Sequence, residues 1–138
     1  MFAKVLTLAG QKYSSTAKEI RLRTTEGDMA ILPGHEPFMA IIEPGSLTVV
    51  DDSGKDDIFS VYGGVVSVDN DSQVKILVDE ADHIDELVEE EIEEAMRLAK
   101  ELKADAKDRQ TLYQAQKLID RHIVRLNVAK IRRRHHKR

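Results

Sequence analysis

Every one of the seven glycines and three prolines in this 138-residue chain lies before Asp82. The first part must therefore turn repeatedly, while nothing after Asp82 punctuates a helix. The hydrophobic period changes at the same point. Glu19-Ile20-Arg21-Leu22-Arg23-Thr24 alternates polar and apolar, as a half-buried strand does. Ser46 to Val50 is rich in β-branched residues and ends at the turn cluster Asp51-Asp52-Ser53-Gly54, with Ile58 to Tyr62 following at hairpin distance. Ala3 to Leu8, Val65 to Val68 and Val74 to Val78 complete the strand-like segments, the last two separated by Asp69-Asn70-Asp71-Ser72. Short strands with such regular turns predict a β-sandwich or barrel.

Beyond Asp82, Ile84, Leu87, Val88, Ile92, Ala95, Ala99 and Leu102 recur at three- and four-residue steps. That pattern predicts one helix of about 19 residues, roughly 28 Å long. Lys103 to Asp108 is polar, and a second stripe follows: Leu112, Ala115, Leu118, Ile119, Ile123, Leu126 and Ala129. Two helices joined by a short polar link should form an antiparallel hairpin. The expected class is α+β: a sandwich domain over residues 1–82, then a helical hairpin with a basic tail over 83–138.

Charge follows the same division. Residues 1–82 carry 7 basic and 14 acidic side chains, 83–102 carry 2 and 8, and 103–138 carry 12 and 3. The first helix is acidic (Glu86, Glu89, Glu90, Glu91, Glu93, Glu94) and the second basic (Arg109, Lys117, Arg121, Arg125, Lys130). Exposed pairs of this kind contribute roughly 0–1 kcal/mol each, so the hairpin has scope for more than one arrangement. An acidic body with a basic end is a signal for interaction and not for fold.

Chemistry is scarce. With no cysteine, disulfides, thiolate metal sites and thiol nucleophiles are excluded. Ser14 and Ser15 have no histidine and acid beside them in sequence, there is no glycine-rich phosphate loop, and apart from the tail pair His135-His136 the histidines are scattered. No catalytic residue, metal site or cofactor is expected. No apolar run reaches the roughly 20 residues of a membrane span, and Met1 to Gln11 reads as a strand in preference to a signal peptide.

The glycine-proline punctuation carries a more specific message. Gly27-Asp28-Met29-Ala30-Ile31-Leu32-Pro33-Gly34-His35-Glu36-Pro37 resembles the signature of the epsilon subunits of bacterial F-type ATP synthases. Ile42-Glu43-Pro44-Gly45, Tyr62-Gly63-Gly64-Val65-Val66-Ser67-Val68 and Ile76-Leu77-Val78-Asp79-Glu80-Ala81 resemble later elements of that family, in order. Ile84-Asp85 and Arg125-Leu126-Asn127-Val128-Ala129 resemble the start and end of its helical pair. Taken by themselves, Pro33-Gly34 and Pro44-Gly45 favour tight turns and Gly63-Gly64 permits a bend or a close backbone approach.

The resemblance implies a sandwich of about ten strands that joins the gamma shaft to the membrane ring of c subunits. It also implies a mobile hairpin that restrains ATP hydrolysis when extended toward the alpha and beta subunits. The whole would sit peripherally on the cytoplasmic face of a bacterial plasma membrane, reaching the membrane only through a proton- or ion-translocating complex. Asp28 and His35 fall where the family faces the ring. The alternative for each is a role in shaping its own turn. Arg121, Arg125, Arg132, Arg133 and Arg134 would meet acidic segments of the catalytic head, the alternative for the tail being a solvated segment.

Some family members bind ATP in the folded hairpin. Ile84, Asp85, Arg121 and Arg125 match that motif, but its Arg-Ala pair is replaced by Val88-Glu89 and a further arginine by Ala95. The glutamates of the first helix would repel phosphates, so weak or absent ATP binding is expected. The rival reading is an independent β-sandwich adaptor whose basic helical arm binds acidic partners or nucleic acid. The lack of aromatics in the tail argues against stacking on nucleic-acid bases.

Overall fold

A computed structural model describes residues 1–136, with side chains through Arg132. The chain forms two compact units, Met1–His83 and Ile84–Arg138.

The first unit contains ten strands: β1 (Phe2–Thr7), β2 (Gly10–Thr16), β3 (Glu19–Thr24), β4 (Gly27–Ile31), β5 (Phe38–Ile42), β6 (Gly45–Val50), β7 (Asp56–Val61), β8 (Gly64–Val68), β9 (Gln73–Val78) and β10 (Ala81–His83). They hydrogen-bond in the order β10-β7-β6-β3-β5-β8-β9-β1-β2, with β4 on β3. All pairings are antiparallel except β1 with β9. This is the expected β-sandwich.

Its core is mainly aliphatic, with Phe59 as its buried aromatic, in keeping with the small aromatic fraction. Val5, Ile20, Ile31, Leu47, Val49, Val66 and Ile76 are all fully enclosed. The alternation predicted for Glu19 to Thr24 is observed: Ile20, Leu22 and Thr24 are buried and Arg21 and Arg23 exposed. β6 and β7 are different, with Leu47 to Val50 and Ile58 to Val61 buried on both strand faces. Gly64 opens β8 where only glycine fits, because a Cβ there would stand 2.1 Å from the Leu77 carbonyl oxygen.

The second unit is a pair of helices, as expected, but the first is shorter than its stripe. Ile84–Glu86 forms a single 3-10 turn, and α1 spans only Glu89–Ala104. Val88 is extended at the helix start, with no side-chain cap. Starting at Glu89 places three glutamates in the first turn, where they complement the positive end of the helix dipole. α2 runs Arg109–His136. Asp108 caps it: the Thr111 amide donates to Asp108 Oδ1 at 2.6 Å. Lys103 Nζ donates to Gln116 Oε1 beside the link, and Arg132 reaches Ile84 and Leu87 at the far end, so the helices are antiparallel. Ile92 and Ala99 of α1 and Ala115, Ile119, Val128 and Ala129 of α2 are buried.

Candidate functional site

Four adjacent strands place an apolar row on the outside of the sandwich. Ile41 of β5 stands opposite Val65 of β8, Val65 opposite Leu77 of β9, and Leu77 opposite Leu6 of β1. With neighbouring strands about 4.8 Å apart, the row is roughly 14 Å long. The residues next to them in sequence, Ile42, Val66, Ile76 and Val5, are buried in the core. These strands are therefore apolar on both faces, which core formation alone does not require. Met39 and Leu8 add to the same region, 75% and 89% exposed. The row beside it is mixed, running Met39, Ser67, Lys75 and Lys4 across the same strands. A contiguous apolar patch rimmed by polar side chains is the usual form of a protein-docking surface.

The sequence reading did not single out this row. The signal was present as paired apolar residues, Val5-Leu6, Ile41-Ile42, Val65-Val66 and Ile76-Leu77, where alternation would place a polar residue outside.

Asp28 and His35 stand at opposite ends of β4. Asp28 is the second residue of the strand, whereas His35 lies in the loop that leaves it. Asp28 Oδ1 accepts from Arg23 Nε at 2.9 Å, a cross-strand pair in register on β3 and β4. That hydrogen bond and the adjacent carboxylate hold the Arg23 guanidinium above its usual pKa. His35 is half-buried. Its amide donates to the Leu32 carbonyl, its Nδ1 is 2.8 Å from the Glu36 carbonyl oxygen, and its ring packs 4.9 Å from that of Phe38. These contacts shape the Pro33-Gly34 turn.

In the helical unit, Arg121 and Arg125 lie one turn apart on α2, both half-buried, with Arg125 Nη1 3.2 Å from His122 Nδ1. Ile84 is buried in the 3-10 turn, and Asp85 beside it has its Oδ1 4.0 Å from Arg132. The helix continues through Arg133 and Arg134, whose side chains lie outside the described residues. On α1, Arg97 is bracketed by Glu94 and Glu101 at 2.6 Å each, and its hydrogen bonds lower the Glu94 pKa. Glu90, Glu91 and Glu93 add further acid to α1.

Among the described residues, no group of three or more His, Asp or Glu is placed to hold a metal ion. No described helix is long and apolar enough to cross a membrane.

Comparison with known proteins agrees with this picture. Residues 1–84 match the family model for the ATP synthase delta/epsilon chain β-sandwich domain. An ATP synthase epsilon chain of Cutibacterium acnes is 34% identical over 84 residues, 61% of this chain and 58% of that one. That of Neisseria meningitidis serogroup C is 33% identical over 138 residues, covering 99% of this chain and 98% of its own length. Among solved structures, a chain of the Euglena gracilis mitochondrial ATP synthase superposes with a TM-score of 0.74 at 25% identity, covering 94% of this chain and 79% of that one. An aliphatic ten-stranded sandwich, a helical pair after it, and a relative matched from end to end agree: this chain belongs to the ATP synthase delta/epsilon chain family.

Proposed function

We propose that this chain is a non-catalytic rotor subunit of an F-type ATP synthase, which joins the gamma shaft to the c ring through its sandwich and restrains ATP hydrolysis through its helical pair. The observation that carries the reading is the outer row Leu6, Ile41, Val65 and Leu77. An aliphatic strip of this length matches a rod-like partner better than a small ligand, and a helical shaft such as gamma is the partner proposed for it. Asp28 and His35 remain the residues proposed to face the c ring. Asp28 is exposed near the start of β4 and His35 half-exposed in the loop that leaves it, although His35 has a local role as well. Arg121, Arg125, Arg132, Arg133 and Arg134 are proposed to meet acidic segments of the alpha and beta subunits in the inhibitory state, where opposite charge would steer docking and high salt would weaken it. The protein would then lie peripherally on the cytoplasmic face of the plasma membrane.

Association with the shaft is tested by co-purification. Replacing Ile41 and Leu77 together by aspartate places two charges in the row without entering the core. Such a variant should retain its strand content and lose its one-to-one complex with gamma. Retention of that complex would remove the row from the reading. Complete failure of the unmodified chain to bind gamma would favour the independent adaptor with a basic arm. For ATP, electrostatics at α1 oppose a site, and a low-micromolar MgATP affinity of the isolated chain would contradict that view.

A further inference from the structure

Arg132 reaches from near the end of α2 back to the entrance of the helical unit. Its Nη1 donates to the carbonyl of Ile84 at 3.2 Å, its Nη2 to the carbonyl of Leu87 at 2.8 Å, and Asp85 Oδ1 is 4.0 Å away. All three partners belong to the short segment between β10 and α1. That segment has little internal support. Its 3-10 turn is one turn long, a form with poor hydrogen-bond geometry, and Leu87 belongs to neither helix. The α1 start at Val88 has no side-chain cap.

The two sides of this segment are fastened differently. On the strand side, Tyr62 Oη donates to Asp82 Oδ2 at 2.6 Å, Ser60 Oγ lies 3.4 Å from the same oxygen, and His83 Nε2 is 3.0 Å from Asp57 Oδ1. These bonds tie β10 to β7 and to Tyr62 just beyond it, side chain to side chain within the sandwich. On the helix side, the Arg132 guanidinium, 45 or more positions away in sequence, bonds the main chain of the segment at two carbonyls.

We propose that Arg132 is a latch that holds the entry turn of the helical unit against the end of α2, so that its release frees residues 84–88 to change conformation. The guanidinium fits this task because its planar fork presents two N–H groups to two carbonyls at once, which the compact ammonium of lysine does not reproduce. The same fork cannot serve these carbonyls and an acidic partner together. Resting on the proposed function, capture of Arg132 by an acidic partner and closure of the latch therefore exclude one another. The latch itself is a property of the isolated chain.

Amide hydrogen exchange on the full-length protein tests it, comparing the parent with Arg132→Gln and Arg132→Lys. Both Arg132 variants should speed exchange in residues 84–92 by about tenfold or more, since charge-assisted hydrogen bonds are lost. The amides of Leu87 and Ile92, which bond within this segment, report it most directly. Val66 and Ile76 in the sandwich should keep the parent rates. Unchanged protection in Arg132→Gln overturns the proposal, as does faster exchange spread evenly over the sandwich. Parent-like protection in Arg132→Lys would overturn the two-carbonyl geometry. No ATPase or gamma binding is read, so failure here leaves the proposed rotor role standing.

Discussion

The sandwich and the helical pair are built on opposite terms. In the sandwich, ten strands share their backbone hydrogen bonds across a continuous ladder, and large side chains such as Ile20, Ile31, Leu47 and Ile76 are wholly enclosed. In the helical pair, α1 buries only Ile92 and Ala99, while Leu98, Leu102, Leu112, Leu118 and Ile123 remain 42–52% exposed. Each helix satisfies its own backbone, so separating the two sacrifices side-chain packing but few main-chain hydrogen bonds. The sandwich could not be rearranged at comparable cost, because its strands depend on one another for theirs. The two parts thus differ in how local their main-chain hydrogen bonds are. The adaptor and regulatory roles proposed for the two parts use that difference.

Three substitutions bear on this contrast. The largest effect is expected from Ile76→Ala, which empties a fully enclosed site in the middle of the ladder. It should destabilise the sandwich by about 2–5 kcal/mol, read as a lower urea midpoint of the strand signal. Loss below 1 kcal/mol would mean that this core is loosely packed. Ala115→Leu should come next. Ala115 is fully enclosed in the helical unit, and a larger side chain there should push neighbours apart at a cost of about 1–3 kcal/mol. Faster amide exchange should be confined to α1 and α2. Spread into β8 and β9 would show that the two parts are not energetically separate.

The smallest effect concerns the cap of α2. The Thr111 amide holds the Asp108 carboxyl below its usual pKa. A carboxylate depressed in the folded state stabilises above its unfolded pKa of about 3.9, and that contribution is lost as pH falls through the lower folded value. The first turn of α2 should therefore fray only below about pH 4. Asp108→Ala should show a severalfold faster exchange of the Thr111 and Leu112 amides already at neutral pH. If the variant and the parent exchange alike at pH 7, the cap contributes nothing.

How much of this was legible beforehand depended on whether burial left a periodic trace. β3, β6, β7, β8 and β9 are recognisable in sequence because alternation or β-branched runs meet turn clusters at their ends. β2 leaves no such trace: Gly10–Thr16 is almost entirely polar and exposed, and only its pairing with β1 makes it a strand. β10 is three residues long, too short for any period. Its presence depends on register with β7 and on the Asp82 and His83 side chains. The apolar stripe from Ile84 was also real, yet it spans two elements. Ile84 and Leu87 are buried as the stripe requires, but through a 3-10 turn that a 3.6-residue period does not distinguish from helix. Of the proposed site residues, Asp28 was reached through the family resemblance, but its bond to Arg23 needed the β3–β4 register. Arg132 looked like one member of a basic tail. Its bonds to Ile84 and Leu87 depend on the helices running antiparallel with α2 long enough to reach back, which no local pattern encodes.

The division of labour between platform and arm is tested most directly by ATP hydrolysis in the reconstituted enzyme, with either the full chain or a version ending at His83. The shortened chain keeps every strand and should still join the complex, and the hydrolysis rate should rise because the restraint has been removed. If the complex assembles with both versions and hydrolyses ATP equally fast, the helical pair does not restrain the enzyme.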